Sequence, residues 1–132
     1  MRLLGVTVLL VEDDVDNLEP LASFLDGEGA RTFGAGSISS ALSLTEGQTI
    51  DLLVSDLELP DGDGCALLAT LRQRGGRSDV PAIAVSGDSD PQWRTKATNG
   101  GFARYAVKPY SRQCLVDWIV ELSVRPESRA SA

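Results

Sequence analysis

Residues 6–14 read VTVLLVEDD. The run over 6–11 is rich in Val and Leu and does not alternate with polar residues, as expected of a strand covered on both faces of a parallel sheet. It ends abruptly at Glu12, Asp13 and Asp14. The same event recurs along the chain: the run 50–55 leads into Asp56, 81–85 into Ser86, and 105–107 into Lys108, which Pro109 follows. In an open parallel sheet, side chains just beyond the carboxyl ends of the strands converge on one crevice, because there the backbone leaves the buried layer. Glu12, Asp13, Asp56, Ser86 and Lys108 are therefore expected to share a pocket, and that inventory suits a divalent metal and a phosphoryl group.

Helical patterns fill the intervals between these runs. Leu18, Leu21, Ala22 and Leu25 form one apolar stripe; Ile38, Ala41 and Leu42 a second; Leu67, Leu68 and Leu71 a third; Leu115, Trp118, Ile119 and Leu122 another. Each repeats near the helical period. With a weaker strand over 30–35 and a short one over 103–107, the chain reads as five strands alternating with five helices, the pattern of βα units around a parallel sheet. Asp14, Ser37, Asp63, Asp90 and Ser111 stand where helices should begin and are residue types that cap orphan amides. Gly27, Gly75 and Gly100 stand where helices should stop. Pro20 falls inside the first helix, where it removes a backbone bond and predicts a slight kink.

A chain of 132 residues accommodates one domain, assigned to 1–125, followed by a small, polar and frayed tail over 126–132. A net charge of -7 disfavours nucleic acid and anionic membrane as direct partners and favours a partner with a basic face. The longest apolar run is far shorter than the roughly 20 residues of a membrane span, and a soluble, cytoplasmic protein is expected. Cys65 and Cys114 lack metal-ligand spacing and read as ordinary buried thiols. The absence of histidine removes the commonest general base and any phosphohistidine carrier, so the chemistry must rest on carboxylates, hydroxyls and lysine. Magnesium prefers oxygen ligands and retains waters, which fits Glu12, Asp13 and Asp56. A carboxylate can also attack phosphorus to give an aspartyl phosphate, provided the incoming charge is neutralised.

The segments VTVLLVEDD (6–14), DLLVSDLELPDGDG (51–64), PAIAVSG (81–87) and YAVKP (105–109) resemble, in order and spacing, those of response-regulator receiver domains. The resemblance spans residues 5 to 123. It implies a doubly wound, flavodoxin-like (βα)5 three-layer sandwich with parallel strand order 2-1-3-4-5, helices 1 and 5 on one side and 2, 3 and 4 on the other. It makes Asp56 the phosphoacceptor, fed by a histidine kinase or histidine phosphotransfer domain in a two-component phosphorelay. Magnesium, or manganese in its place, would be held by Glu12, Asp13, Asp56 and the backbone carbonyl of Glu58. Ser86 matches the switch hydroxyl, Lys108 the lysine that pairs with the phosphoryl group, and Pro109 would follow a cis peptide. Tyr105 matches the aromatic that swings inward as Ser86 moves, carrying the state of Asp56 to the face of helix 4, strand 5 and helix 5. A downstream protein or a second copy would bind there. Such a domain is a substrate that helps catalyse its own phosphorylation and dephosphorylation, not an enzyme in the ordinary sense. The opening Leu3-Leu4-Gly5 looks like the linker before receivers at the ends of hybrid histidine kinases.

The first acidic position is Glu12 in place of Asp, and the hydroxyl is Ser86 in place of Thr. Glu58 and Asp88, each two residues beyond a key position, look out over the phosphoryl group in such domains and are expected to tune its lifetime. Asp14 reads as a helix cap, Trp93 and Trp118 as core packing, and 61–64 as a turn into the third helix. The alternatives are an aspartate-nucleophile phosphatase of the haloacid dehalogenase type, a flavodoxin-like cofactor binder and a non-phosphorylated interaction module. The phosphatase wants a second aspartate where Glu58 stands. The cofactor binder wants a hydroxyl- and glycine-rich loop where Glu12, Asp13 and Asp14 would repel phosphate. The interaction module would lack a key site residue, and none is missing.

Overall fold

In a computed structural model that describes residues 1–74, 79–87 and 91–123, the apolar runs become a five-stranded parallel sheet. Its strands are β1 (Thr7–Val11), β2 (Arg31–Ala35), β3 (Leu52–Asp56), β6 (Ala82–Ser86) and β7 (Arg104–Val107), and their spatial order is β2-β1-β3-β6-β7. Between β3 and β6 lies a small antiparallel hairpin of β4 (Glu58–Leu59) and β5 (Gly62–Asp63), outside the main sheet. Counted without that hairpin, the order is the expected 2-1-3-4-5. The chain passes from β1 outward to β2, then returns to the other side of β1 as β3. The crevice therefore opens between the carboxyl ends of β1 and β3.

Alternation along each strand divides the core into two layers. Leu9, Val11, Leu53 and Ala84 face α2 (Ile38–Leu44), α3 (Gly64–Gln73) and α4 (Pro91–Asn99), where Ala41, Leu67, Leu68, Leu71 and Ala97 meet them. Val8, Leu10, Leu52, Val54 and Ile83 face α1 (Val15–Gly27) and α5 (Arg112–Ser123), meeting Leu21, Leu25, Leu115, Val116 and Ile119. The expected placement of helices 1 and 5 against helices 2, 3 and 4 is thus the observed one. Trp93 and Trp118 pack partly buried against opposite layers. Cys65 and Cys114 are free and half-buried. No helix of the described residues is long and apolar enough to cross a membrane.

Asp14, Ser37 and Asp63 cap α1, α2 and α3 through their side chains, and the Ser111 hydroxyl accepts from Cys114 N at the start of α5. The helix stops lie a little later than the glycine pattern suggested. α1 runs through Gly27, and the left-handed turn falls on Gly29 at φ +96°. A Cβ there would also sit 3.1 Å from the Leu4 backbone. After α4 the positive φ falls on Gly101, not Gly100. Pro20 lies within α1, tolerated because the helix is held by packing of Leu21 and Leu25. The segment 61–64 is more than a turn, since Gly62 and Asp63 pair with Leu59 and Glu58. Leu3 is fully buried and its amide donates to the Glu28 carbonyl at 2.8 Å, so Leu3 belongs to the core while Leu4 beside it stays exposed. The expectations for Gly75, Asp88, Asp90 and the tail over 126–132 fall outside the described residues.

Candidate functional site

Glu12 follows β1 directly, and its amide donates to the Ala35 carbonyl at 3.0 Å, extending the ladder to β2 by one residue. That bond turns its side chain inward, and Glu12 is 6 % exposed. A carboxylate so buried requires a partner. Lys108, just past β7, supplies it: Nζ lies 2.7 Å from Glu12 Oε2 and 3.0 Å from Asp56 Oδ2. Burial works against the ammonium charge, but hydrogen bonds from Glu12 and Asp56, and their charges, more than offset it and hold the Lys108 pKa above its ordinary value. The lysine is therefore charged throughout the neutral range. The Lys108–Pro109 peptide is cis, as expected.

Asp56 ends β3 and is held from several directions. Its Oδ1 accepts from Glu58 N at 3.2 Å, and the Ser55 hydroxyl donates to its carbonyl at 2.8 Å. The α3 N-terminus comes close behind it, with Gly64 N donating to Leu57 O at 2.9 Å. A Cβ on Gly64 would lie 2.6 Å from the Asp56 carbonyl oxygen, so only glycine permits this approach. Neither Ser55 nor Gly64 stands out in the sequence as part of a site. The hairpin is anchored separately: Asp61 accepts from Ile38 N and Ser39 N at 2.9 and 3.0 Å, pinning it to the first turn of α2. The motif Leu59-Pro60-Asp61-Gly62 is a turn sequence and would have announced the hairpin.

Asp13 is exposed at the rim, yet one carboxylate oxygen each from Glu12, Asp13 and Asp56 lie within 4.8 Å of one another. Such an all-oxygen, multiply anionic cluster is of the kind that suits a hard divalent cation. Asp13, Asp56, Glu58, Pro60 and Ser86 line a crevice of about 510 Å3. Glu12 and Lys108 border a second cleft, about 440 Å3, toward α1 and Tyr110. Ser86 ends β6, is 5 % exposed and lies opposite Val107, while its carbonyl accepts from Lys108 N at 2.8 Å. Tyr105 pairs in register with Ala84 and is 8 % exposed. It therefore sits diagonally across from Ser86 on the same face of the sheet. The structure brings together Glu12, Asp13, Asp56, Ser86 and Lys108, with Glu58 at the edge of the crevice.

The profile of the family described as the response regulator receiver domain matches residues 8–120. A 14.6 kDa protein of Leptolyngbya boryana described as uncharacterized is 36 % identical over 102 residues, covering 77 % of this chain and 78 % of its own length. The KDP operon transcriptional regulatory protein KdpE of Escherichia coli is 36 % identical over 103 residues, 78 % of this chain but 44 % of KdpE. The cell cycle transcriptional regulator CtrA of Caulobacter vibrioides is matched over 53 % of its length, so the chain spans about half of these regulators. Among solved structures, the CheY-like receiver domain from Methanospirillum hungatei superposes with a TM-score of 0.81 at 25 % identity, over 96 % of this chain and 98 % of that one. The non-phosphorylated HemR receiver domain of Leptospira biflexa gives 0.79 at 30 %, over 92 % and 98 %.

Proposed function

This chain belongs to the response-regulator receiver domains, and we propose that it accepts a phosphoryl group from a phosphohistidine onto Asp56. The observation that carries this reading is the Lys108 ammonium, hydrogen-bonded at once to Asp56 and Glu12 beside the rim carboxylate of Asp13. An Asp56 oxygen forms the bond to phosphorus as the phosphorus–nitrogen bond breaks, and the electron pair leaves with the imidazole. Lys108 offsets charge on the transferred group, as fixed cations do in other phosphoryl transfers. The Glu58 amide, already against Asp56 Oδ1, helps orient the carboxylate. Magnesium, or manganese, held by Glu12, Asp13, Asp56 and the Glu58 carbonyl, would supply further neutralisation of phosphoryl charge.

Ser86 turns toward the phosphoryl group, and that turn favours the buried position of Tyr105, which lies diagonally across from it on the same sheet face. The face of α4, β7 and α5 then presents the state of Asp56 to a downstream protein or a second copy. Histidine kinases or histidine phosphotransfer domains are the donors this reading requires, in the cytoplasm, and the side chains of Glu58 and Asp88 tune how long the acyl phosphate survives. The domain spans 1–125. The phosphatase and interaction-module alternatives gain no support from the geometry: Glu58 is exposed and engages Asp56 through its amide, and Glu12, Asp13, Asp56, Ser86 and Lys108 are all present.

Intact mass after incubation with magnesium and acetyl phosphate tests the proposal. One added phosphoryl group is expected, absent from Asp56→Asn and from a chelated sample. An adduct that persists in Asp56→Asn, or a parent protein that takes up neither phosphate nor beryllofluoride, contradicts it.

A further inference from the structure

On the far side of the sheet edge from Asp56, the Tyr105 ring occupies a slot that the phosphoryl chemistry does not itself explain. Ala84 lies opposite it on β6, Ala97 on α4 and Phe102 beside it, and all three are buried. The small side chains of the two alanines leave room for the ring. What covers it is a charge: the Arg94 guanidinium carbon sits 4.9 Å from the ring centroid, at the mouth of a cleft of about 220 Å3 that Trp118 also lines. Among the described residues no carboxylate pairs with Arg94, and its backbone carbonyl is held within the helix by the Thr98 hydroxyl at 3.0 Å. α4 has little apolar anchorage of its own. Ala97 is its buried residue, Trp93 packs partly, and Lys96 is tied to Asp63 at 3.2 Å.

We propose that Arg94 is a latch on Tyr105, a positioning residue whose guanidinium holds the ring in its slot through a cation–π contact and so favours the inward state. A cation over an aromatic face gains energy only while the ring lies under it. Arg94 thus stabilises one position of Tyr105 and contributes nothing to a ring turned out to solvent. Because Tyr105 lies diagonally from Ser86 on the same sheet face, the bias reaches the crevice, and occupancy of Asp56 is favoured by up to the same factor. This second half rests on the reading of Asp56 as phosphoacceptor. The arrangement also makes α4 responsive: moving Tyr105 outward removes one of the contacts that hold the helix.

The test uses the full chain labelled with fluorotyrosine, which gives two resonances, with Tyr110→Phe assigning that of Tyr105. Fluorine NMR and beryllofluoride affinity in magnesium are measured for the parent, Arg94→Ala and Arg94→Lys. In Arg94→Ala the Tyr105 resonance is expected to move toward that of an exposed ring and the beryllofluoride affinity to fall about two- to fivefold, the size of an exposed cation–π contact. Arg94→Lys, which keeps the cation, should recover part of both. A Tyr105 resonance unchanged in Arg94→Ala overturns the latch. A resonance that moves without any change in affinity overturns its coupling to Asp56. If the parent itself binds no beryllofluoride, the phosphoacceptor reading has failed, and the Tyr105 resonance alone decides the latch.

Discussion

Lys108 balances the site: it joins a buried glutamate to Asp56 across 2.7 and 3.0 Å. Lys108→Met should slow phosphoryl uptake from acetyl phosphate on the order of a hundredfold, the usual effect of removing a fixed donor to developing charge. The same variant should bind manganese more tightly, because the cluster loses its resident cation; a calorimetric titration showing weaker binding would contradict the charge balance described. Gly64 makes a different demand. Its absent Cβ leaves room for the Asp56 carbonyl at a place where an alanine would clash at 2.6 Å, so Gly64→Ala should destabilise by about 1–3 kcal/mol in urea unfolding. Glu12, Asp13, Asp56, Ser86 and Lys108 were legible in the sequence because strand ends are marked by a sudden change of polarity. Ser55 and Gly64 were not, because their roles come from how closely α3 approaches β3, and no local pattern encodes that distance.

The hairpin β4–β5 is the element that the chain's own pattern concealed. Strands of two residues are too short for alternation to register, and only the turn chemistry of Pro60-Asp61-Gly62 betrays them. Its ends are fixed by carboxylates. Backbone amides of Ile38 and Ser39 hold the Asp61 pKa below its ordinary 3.8, and the Ala66 amide, with help from Lys96, does the same for Asp63. A lowered folded pKa means that stability is complete above the unfolded value and is lost as pH falls through the folded one. Asp61→Asn with Asp63→Asn removes the titration while keeping one acceptor oxygen at each position, at the cost of one of the two amide bonds that the Asp61 oxygens accept from Ile38 N and Ser39 N. The urea midpoint of this double variant should therefore fall less steeply than the parent's between about pH 5 and about pH 3; parallel curves would rule out these two groups as contributors. Helix caps at Asp14, Ser37 and Asp63 were readable directly, whereas the stops at Gly29 and Gly101 lay one or two residues beyond the first glycine, since a glycine is only required where φ turns positive.

At the scale of the whole molecule, the two core layers follow from alternation within β1 alone: Val8 and Leu10 face α1 and α5, Leu9 and Val11 face α2, α3 and α4. The order of the strands is another matter. Periodicity names the elements, and the family resemblance supplied the arrangement that the sheet then displayed. The opening segment contributes to the outer layer, with Leu3 fully buried and Arg2 paired to Asp117 of α5 at 2.6 Å. Leu3→Ala should cost about 2–5 kcal/mol, as for other buried leucines, measured by thermal or urea unfolding; a loss well below that range would show the segment to be loosely docked. All of this framework serves to bring one aspartate, one lysine and two further carboxylates to the mouth between β1 and β3. The most direct measurement is borohydride trapping after acetyl phosphate treatment in magnesium, which converts an aspartyl phosphate to homoserine, followed by peptide mass mapping. Conversion confined to residue 56 is the expected result. Conversion at Asp13, Asp14 or another carboxylate, with Asp56 intact, would contradict the account.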